Sequence, residues 1–175
     1  MQQSRAQSYL ALSMATLAFA ANFSVWVLYA VLGIELNEQL NLSATEFGVL
    51  VSAPILTGAL LRLPVGILAE YYAPKTLYIL QMALLIPPLL LLNYADSLQD
   101  FILLGLALGL SGVSFTIGIR YIVDWFDSKD QGTAMGIFGA GNAGAAITLI
   151  LTPFIIEQAG FHLVGPFYAA GVVLV

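Results

Sequence analysis

Long apolar stretches alternate with short polar connections along this sequence. Each of five stretches is about 20 mostly apolar residues long, which is enough to cross a bilayer as a helix. The predicted spans are Tyr9–Ile34, Phe47–Leu68, Leu77–Tyr94, Phe101–Val123 and Thr133–Ile156. A sixth run begins near Leu163, and its last part, Gly165–Val175, reaches about half-way across a bilayer. We therefore predict an all-α polytopic membrane protein with five complete spans and a truncated sixth, and we interpret the sequence as a fragment or a prematurely ended chain.

Three of the polar connections carry a pattern that starts helices. In a capping box, a Ser or Thr side chain and a Glu or Gln three residues later bond to each other's backbone amides. Ser43-Ala-Thr-Glu46 fits this pattern before the second span, and Ser97-Leu-Gln-Asp100 is a weaker variant before the fourth. Ser128-Lys-Asp-Gln131 fits it before the fifth. These starts agree with the boundaries of the apolar runs.

The composition supports the same class of protein. Hydrophobic residues make up 60% of the chain and charged residues 9%, whereas soluble domains average about 45–50% and about 25%. With Lys+Arg 5 against Asp+Glu 10, the chain has no basic surface for nucleic acid. It has no cysteine and a single histidine, His162, which excludes disulfides, thiolate metal sites and cysteine nucleophiles. We expect neither an enzyme nor a bound metal or cofactor.

The charges outside the spans predict how the helices are oriented. With alternating spans, the basic residues of the connections all fall on one side of the membrane, and only acidic residues fall on the other. The basic residues are Arg5, Lys75, Arg120 and Lys129. The acidic residues are Glu35, Glu38, Glu46, Asp96, Asp100 and Glu157. Because basic loops stay in the cytoplasm, we expect a cytoplasmic N-terminus.

One charged residue, Arg62, lies well inside a predicted span. A charge at the centre of a membrane helix costs about 2.5–3.5 kcal/mol on insertion scales, so such residues normally face a protein interior or a water-filled cavity. Gly58 and Gly66 share its helix face and leave room there for a partner helix or a ligand, while Leu60 and Ile67 lie roughly opposite. No carboxylate lies deep in any span to pair with it. The pattern favours anion binding or a pathway role over a structural contact between helices.

The fifth span is unusually rich in glycine and carries an amide near its middle. Small residues allow membrane helices to approach closely. Four of them form one stripe at helical spacing: Gly132, Gly136, Gly139 and Ala143. Asn142 either forms a packing hydrogen bond between helices or donates from its amide into the cavity of Arg62.

Other candidates lie near the middle of the first and fourth spans. Phe115 shares a helix face with small residues, so its ring either forms the wall of a narrow site or packs in the core. Asn22 and Ser24 are polar enough to face the interior, whereas Trp26 could equally serve packing. These residues alone do not decide between a site and a core.

Three stretches together resemble the nitrate/nitrite porter family of the major facilitator superfamily. They are Thr57-Gly-Ala-Leu-Leu-Arg62-Leu-Pro in the second span, Gly112-Val-Ser-Phe115 running into Trp125-Phe126 and Gln131-Gly-x-Ala-x-Gly136, and Gly139-Ala-Gly141-Asn142-Ala-Gly144 in the fifth span. The likeness covers nearly the whole chain but about half of a family member. The superfamily's motif between the second and third spans is degenerate here, with Glu70 for the usual Asp and with Tyr71 and Ala73 at the usual basic and glycine positions.

The resemblance implies roles for particular residues. Arg62 would bind a planar anion, and Asn142, Phe115 and, on weaker grounds, Phe23 would line the site. A second arginine would come from the C-terminal half. The glycines of the signature and of the arginine-bearing helix would serve helix packing: Gly58, Gly66, Gly139, Gly141 and Gly144.

Taken with the resemblance, residues 1–175 are expected to form the N-terminal bundle of a facilitator whose C-terminal bundle is missing. The implied function is secondary active transport of nitrate or nitrite across the inner (plasma) membrane by alternating access. The expected partners are the anion, the lipid bilayer and the missing half. Two alternatives remain: a facilitator for another small organic anion, and a non-transporting membrane assembly or sensor subunit built around Arg62.

Overall fold

The computed structural model describes residues 4–175, and this part of the chain consists of helices joined by short connections, without a strand. We number the helices in chain order: α1 Arg5–Leu40, α2 Ala44–Tyr71, α3 Pro74–Tyr94, α4 Leu98–Val123, α5 Ser128–Ala159 and α6 Phe161–Leu174. The first five are long and apolar enough to cross a membrane, which confirms the five predicted spans. α6 is the shorter apolar helix expected at the sixth position.

The helix starts agree with the sequence in two places of three. Ser43 Oγ accepts from the Glu46 amide at 3.3 Å, and the Glu46 carboxylate accepts from the Ser43 amide at 2.9 Å. Ser97 and Asp100 form a complete box of the same kind. The box expected at Ser128 is wrong. There the N-cap is the preceding residue, so Ser128 already lies inside the helix, and the Gln131 side chain donates to carbonyls of the preceding turn instead.

The core is arranged around α1, which packs against α2, α4, α5 and α6. Val25, Leu28, Tyr29 and Leu32 on this helix are fully buried. The Tyr29 hydroxyl donates to the Phe101 carbonyl of α4 at 2.7 Å. A first helix with a fully buried apolar stripe fixes the relative positions of the helices that carry the candidate site.

The outside of the bundle is apolar, as expected for helices that contact lipid. Leu60 is 66% exposed and Ile67 54% exposed on α2, on the side away from the core as the sequence predicted. Leu103 and Ile150 are equally exposed on α4 and α5. A soluble domain does not display large apolar patches of this kind unless they form an interaction surface.

Two of the long helices contain a tighter turn near their middle. α4 is 3-10 helical over Gly109–Val113, and α5 over Ala140–Asn142. Within the first of these turns α4 and α2 touch through their backbones, because a Cβ on Gly109 would lie 2.5 Å from the Pro54 carbonyl oxygen. The close approach brings the carbonyl of Gly112 to the arginine of α2. Tight turns inside a long helix often accompany functional positions.

Candidate functional site

A cavity of about 310 Å³ lies in the bundle where α1, α2, α4 and α5 meet. The structure brings all four of the predicted binding residues to it. The lining residues are Phe19, Phe23, Trp26, Arg62, Gly112, Ser114, Phe115 and Asn142. One positively charged group, one amide and several aromatic rings therefore surround a volume suited to a small polar ligand.

Arg62 is half-buried and is held at two points. Its Nε donates to the carbonyl oxygen of Gly112 at 3.1 Å, and its Cζ lies 4.9 Å from the ring centroid of Trp26. Both ion pairs found among residues 4–175 belong to Arg120. In that part of the chain, no carboxylate oxygen therefore lies within 4.0 Å of an Arg62 nitrogen. The terminal guanidinium nitrogens have no protein partner in the same range. They are therefore free to donate to a ligand, and paired N–H groups of this kind fit an oxyanion in a bidentate manner.

Asn142 ends the 3-10 turn of α5, and it is exposed and lines the cavity. Its Nδ2 donates to the Gly139 carbonyl oxygen at 2.8 Å. The second N–H of the amide and its oxygen have no partner elsewhere in the described part of the chain. The amide is thereby oriented by its own helix and keeps one donor for a ligand.

The aromatic residues form a connected wall around Phe19. The Phe19 ring lies 5.5 Å from that of Phe23, 5.4 Å from that of Phe115 and 4.8 Å from that of Phe138, which it stacks upon. Phe19 and Phe138 are buried, whereas Phe115 is 38% exposed. The buried rings thus support Phe23 and Phe115 at the cavity.

The signature glycines fall into two groups. A Cβ on Gly141 would lie 2.5 Å from the Phe19 ring, and one on Gly144 would overlap the Ala20 carbonyl oxygen, so α5 contacts α1 closely there. A Cβ on Gly66 would lie 3.2 Å from a methyl group of α4, and Gly58 is equally close to its neighbours. Gly139 differs, because a Cβ there meets no heavy atom of the described residues within 4 Å. The same holds for the other two glycines of its stripe, Gly132 and Gly136.

Sequence reasoning missed several residues at or behind the cavity. Phe19 precedes Phe23 by one helical turn, a spacing that could have placed both on one face. Gln81 is an amide at membrane depth in α3, which is itself a signal. Its Nε2 donates to Asn22 Oδ1 at 2.6 Å and to the Leu110 carbonyl oxygen at 3.3 Å. The predicted inward orientation of Asn22 is explained by this pair, which joins α1, α3 and α4 behind the cavity.

A larger cavity of about 1100 Å³ opens at the end of the bundle where α1 begins. Its lining includes Arg5 and Lys129 but also Asp124, Asp127 and Asp130. The acidic groups outnumber the basic ones, so this cavity has no electrostatic preference for an anion. The smaller cavity around Arg62 is the better candidate for a binding site.

The chain is similar in sequence to several named transporters. The chain is 34% identical to the probable nitrate/nitrite antiporter NarK1 of Thermus thermophilus over 83% of its length, and 32% identical to the nitrite extrusion protein of Bacillus subtilis over 89%. It is 31% identical to the probable nitrate/nitrite transporter NarK2 of Mycobacterium tuberculosis over 91%. These alignments span 33%, 39% and 41% of the respective relatives, so the chain spans well under half the length of the relatives it matches.

A family model supplies the broader assignment. The model of the Major Facilitator Superfamily matches residues 14–175, which include most of α1 and all of α2 to α6. The match agrees with the long apolar helices and with the absence of strands from residues 4–175. The chain belongs to the Major Facilitator Superfamily.

Proposed function

We propose that this chain forms the first of two helical bundles in a secondary transporter of nitrate or nitrite. The observation that carries the proposal is Arg62, a guanidinium inside the second span whose terminal nitrogens have no partner among residues 4–175. The names of the relatives support the choice of anion. The proposal extends to the second bundle, which would complete the cavity and supply the second arginine that the family resemblance implies.

The cavity accounts for selective binding through electrostatics and shape. A small planar anion would accept hydrogen bonds from the terminal nitrogens of Arg62 and from the free N–H of Asn142. Phe23 and Phe115 would cover it and keep water away, which strengthens each charged hydrogen bond because the local dielectric is low. The guanidinium fork matches an oxyanion better than an ammonium group does.

Transport would follow from exposing this cavity first to one side of the membrane and then to the other. In two-bundle carriers the substrate lies near the midplane and the bundles rock against each other around it. The described spans hold no intramembrane carboxylate that could bind a proton. We propose that any group that couples anion transport to proton movement lies outside them. A bound anion would neutralise Arg62 and thereby lower the cost of moving a buried charge.

The proposed location is the inner (plasma) membrane with a cytoplasmic N-terminus. The basic residues support this orientation, since Arg5 and Lys129 line the cavity at one end of the bundle and Lys75 lies in the first turn of α3. Arg120 forms ion pairs with Glu70 and Asp124 near the end of α4. The sequence described here has no cysteine of its own. Cysteines introduced singly next to these basic residues, and labelled from one side of the membrane, therefore test the orientation.

The test of the proposed function compares two charge-preserving substitutions in the native protein, reconstituted in liposomes. We expect Arg62→Lys to raise the KM for nitrate by about tenfold or more, because lysine lacks the bidentate fork. Arg5→Lys is the matched control and should leave transport unchanged. A nitrate-selective electrode measures the initial rates.

The same experiment separates the alternatives. Formate or acetate that displaces nitrate competitively with higher affinity would reassign the substrate to a small organic anion. Absence of anion transport in a folded protein that purifies with a stable membrane partner would favour an assembly or sensor subunit. An unchanged KM for nitrate with lysine at position 62 would remove Arg62 from the site.

A further inference from the structure

Trp26 packs against two glycine residues that belong to different helices and contact each other. A Cβ on Gly58 of α2 would lie 3.0 Å from the indole Nε1, and a Cβ on Gly112 of α4 would lie 3.1 Å from the same atom. Any side chain at either position would therefore press against the indole. Both glycines therefore contact the Nε1 edge of the ring and leave no space for it to move toward α2 or α4.

A hydrogen bond fixes the edge of the same ring. The indole Nε1 donates to the carbonyl oxygen of Pro54 at 3.2 Å. The ring also contacts the aromatic wall, since the Phe23 ring centroid lies 5.5 Å from that of Trp26. Held at its Nε1 edge and packed against Phe23, the indole has little freedom to change rotamer.

The fixed indole presents its face to the guanidinium of Arg62, whose Cζ is 4.9 Å from the ring centroid. A cation above an aromatic face is attracted by the ring's quadrupole, most strongly by tryptophan. Together with the bond from Nε to the Gly112 carbonyl, this contact holds the guanidinium at two points. The only groups left without a protein contact of this kind are the terminal nitrogens.

We propose that Trp26 is a positioning residue for anion binding: its indole pre-orients the Arg62 guanidinium so that both terminal nitrogens stay available to the anion. The inference rests on the proposed function and adds a residue for which the sequence left open whether it packs or lines a site. The physical gain is entropic, because a long side chain that is already ordered loses less freedom when the ligand binds. Removal of the indole should therefore weaken binding more than it alters the fold.

The test uses Trp26→Phe and Trp26→Leu in the native protein, with nitrate affinity measured by calorimetry in detergent. Phenylalanine keeps an aromatic face but loses the bond to Pro54, whereas leucine keeps apolar volume and loses the face. We expect Trp26→Leu to raise the Kd by about tenfold and Trp26→Phe to raise it less, in line with the strength of cation–π contacts. Trp125→Leu, which removes the chain's other tryptophan, is the matched control and should bind nitrate normally.

Fluorescence supplies a second readout that a packing role would not affect. The difference in emission between wild type and Trp26→Phe isolates the signal of Trp26. We expect this signal to change saturably with nitrate, at the Kd found by calorimetry, and not to change when Arg62 is replaced by alanine. This measurement carries the test if Trp26→Leu does not fold.

The outcomes distinguish the two proposals. Wild-type protein that binds neither nitrate nor nitrite refutes the proposed function, and the role of Trp26 with it. Wild-type binding with an unchanged Kd in folded Trp26→Leu, or a Trp26 signal that ignores nitrate, overturns only the positioning role. A nitrate affinity that falls from wild type to Trp26→Phe and further to Trp26→Leu, with thermal stability preserved, supports the positioning role.

Discussion

Two glycines of α5 form a matched pair, because one is pressed against α1 and the other has open space around it. A Cβ on Gly144 would overlap the carbonyl oxygen of Ala20 and lie 2.9 Å from Ser24 Oγ. A Cβ on Gly139 meets no heavy atom within 4 Å across residues 4–175. Alanine gains a similar helix propensity at both positions, so the difference in stability between Gly144→Ala and Gly139→Ala reports the packing of α5 on α1.

The expected magnitude follows from three contributions. Replacing glycine by alanine inside a helix gains up to about 1 kcal/mol. At Gly144 that gain is opposed by about 1–3 kcal/mol of overpacking, because a backbone carbonyl cannot rotate away as a side chain does. Separating the helices also weakens the bonds from Ser24 Oγ to the Gly144 carbonyl at 2.9 Å and from Thr148 Oγ1 to the Ser24 carbonyl at 2.8 Å. Such bonds average about 0.6 kcal/mol each in a membrane protein.

We therefore expect Gly144→Ala to lower the free energy of unfolding by about 1–3 kcal/mol. Gly139→Ala should leave it unchanged or raise it by up to about 1 kcal/mol. The assay is reversible unfolding of the purified protein by SDS in mixed micelles, followed by circular dichroism. Equal stabilities of the two variants would refute the reasoning, since the close contact between α5 and α1 would then have no energetic weight.

Three further predictions concern other parts of the bundle. Gly139→Leu should abolish nitrate transport while the protein still folds, because the branched side chain roughens the open face of α5; retained transport in the electrode assay would contradict this. Alanine at Asn22, at Gln81 and at both should give a coupling free energy of about 1 kcal/mol in a double-mutant cycle of SDS unfolding, because the pair joins α1 to α3; additive effects would show that the bond contributes nothing. Ser43→Ala should lower stability by about 1 kcal/mol through loss of the cap on Glu46, and Ser43→Asp should restore it.

The spans and the position of Arg62 could be predicted from the sequence because both depend on large energies. A run of about 20 apolar residues has few alternatives to a membrane helix. A charge at that depth must turn inward, and the glycines at its i−4 and i+4 positions mark the same face. The structure places Arg62 between α1 and α4 with Leu60 exposed on the opposite side. These are consequences of burial alone, so they required no knowledge of how the helices are arranged.

Details that depend on small energy differences were not predictable. The expected box at Ser128 fails because Asp127 is an equally good N-cap one residue earlier, and sequence spacing does not distinguish the two. The 3-10 turns Gly109–Val113 and Ala140–Asn142 interrupt stretches whose apolar spacing fits a regular helix. Both turns contain glycine, but so do regular parts of the same helices.

Pairings between helices were also hidden, because they require the register of one helix against another. Trp26 is an aromatic residue in an apolar helix, and its pattern is the same whether it packs or supports Arg62. Gln81 lies alone among apolar residues of α3, and only the structure brings Asn22 to it at 2.6 Å. Register is set by many close contacts of small residues, such as Gly109 against α2, and no single one of them is strong enough to be recognised from sequence.

The glycines of α5 illustrate this limit and also indicate how the helix works. One stripe contains Gly132, Gly136 and Gly139, and the other contains Gly141 and Gly144. Both consist of small residues at helical spacing, so a hydropathy pattern cannot distinguish them. The second stripe is held against α1 by close contact with its backbone and by hydrogen bonds. A Cβ on any glycine of the first stripe meets no heavy atom of the described residues within 4 Å. The face of α5 that packs tightly on α1 moves together with α1. The opposite glycine face carries no side chains that would hinder it from sliding over another bundle. Under the proposed function we therefore expect alternating access to use the Gly139 face and to leave the Gly144 face intact.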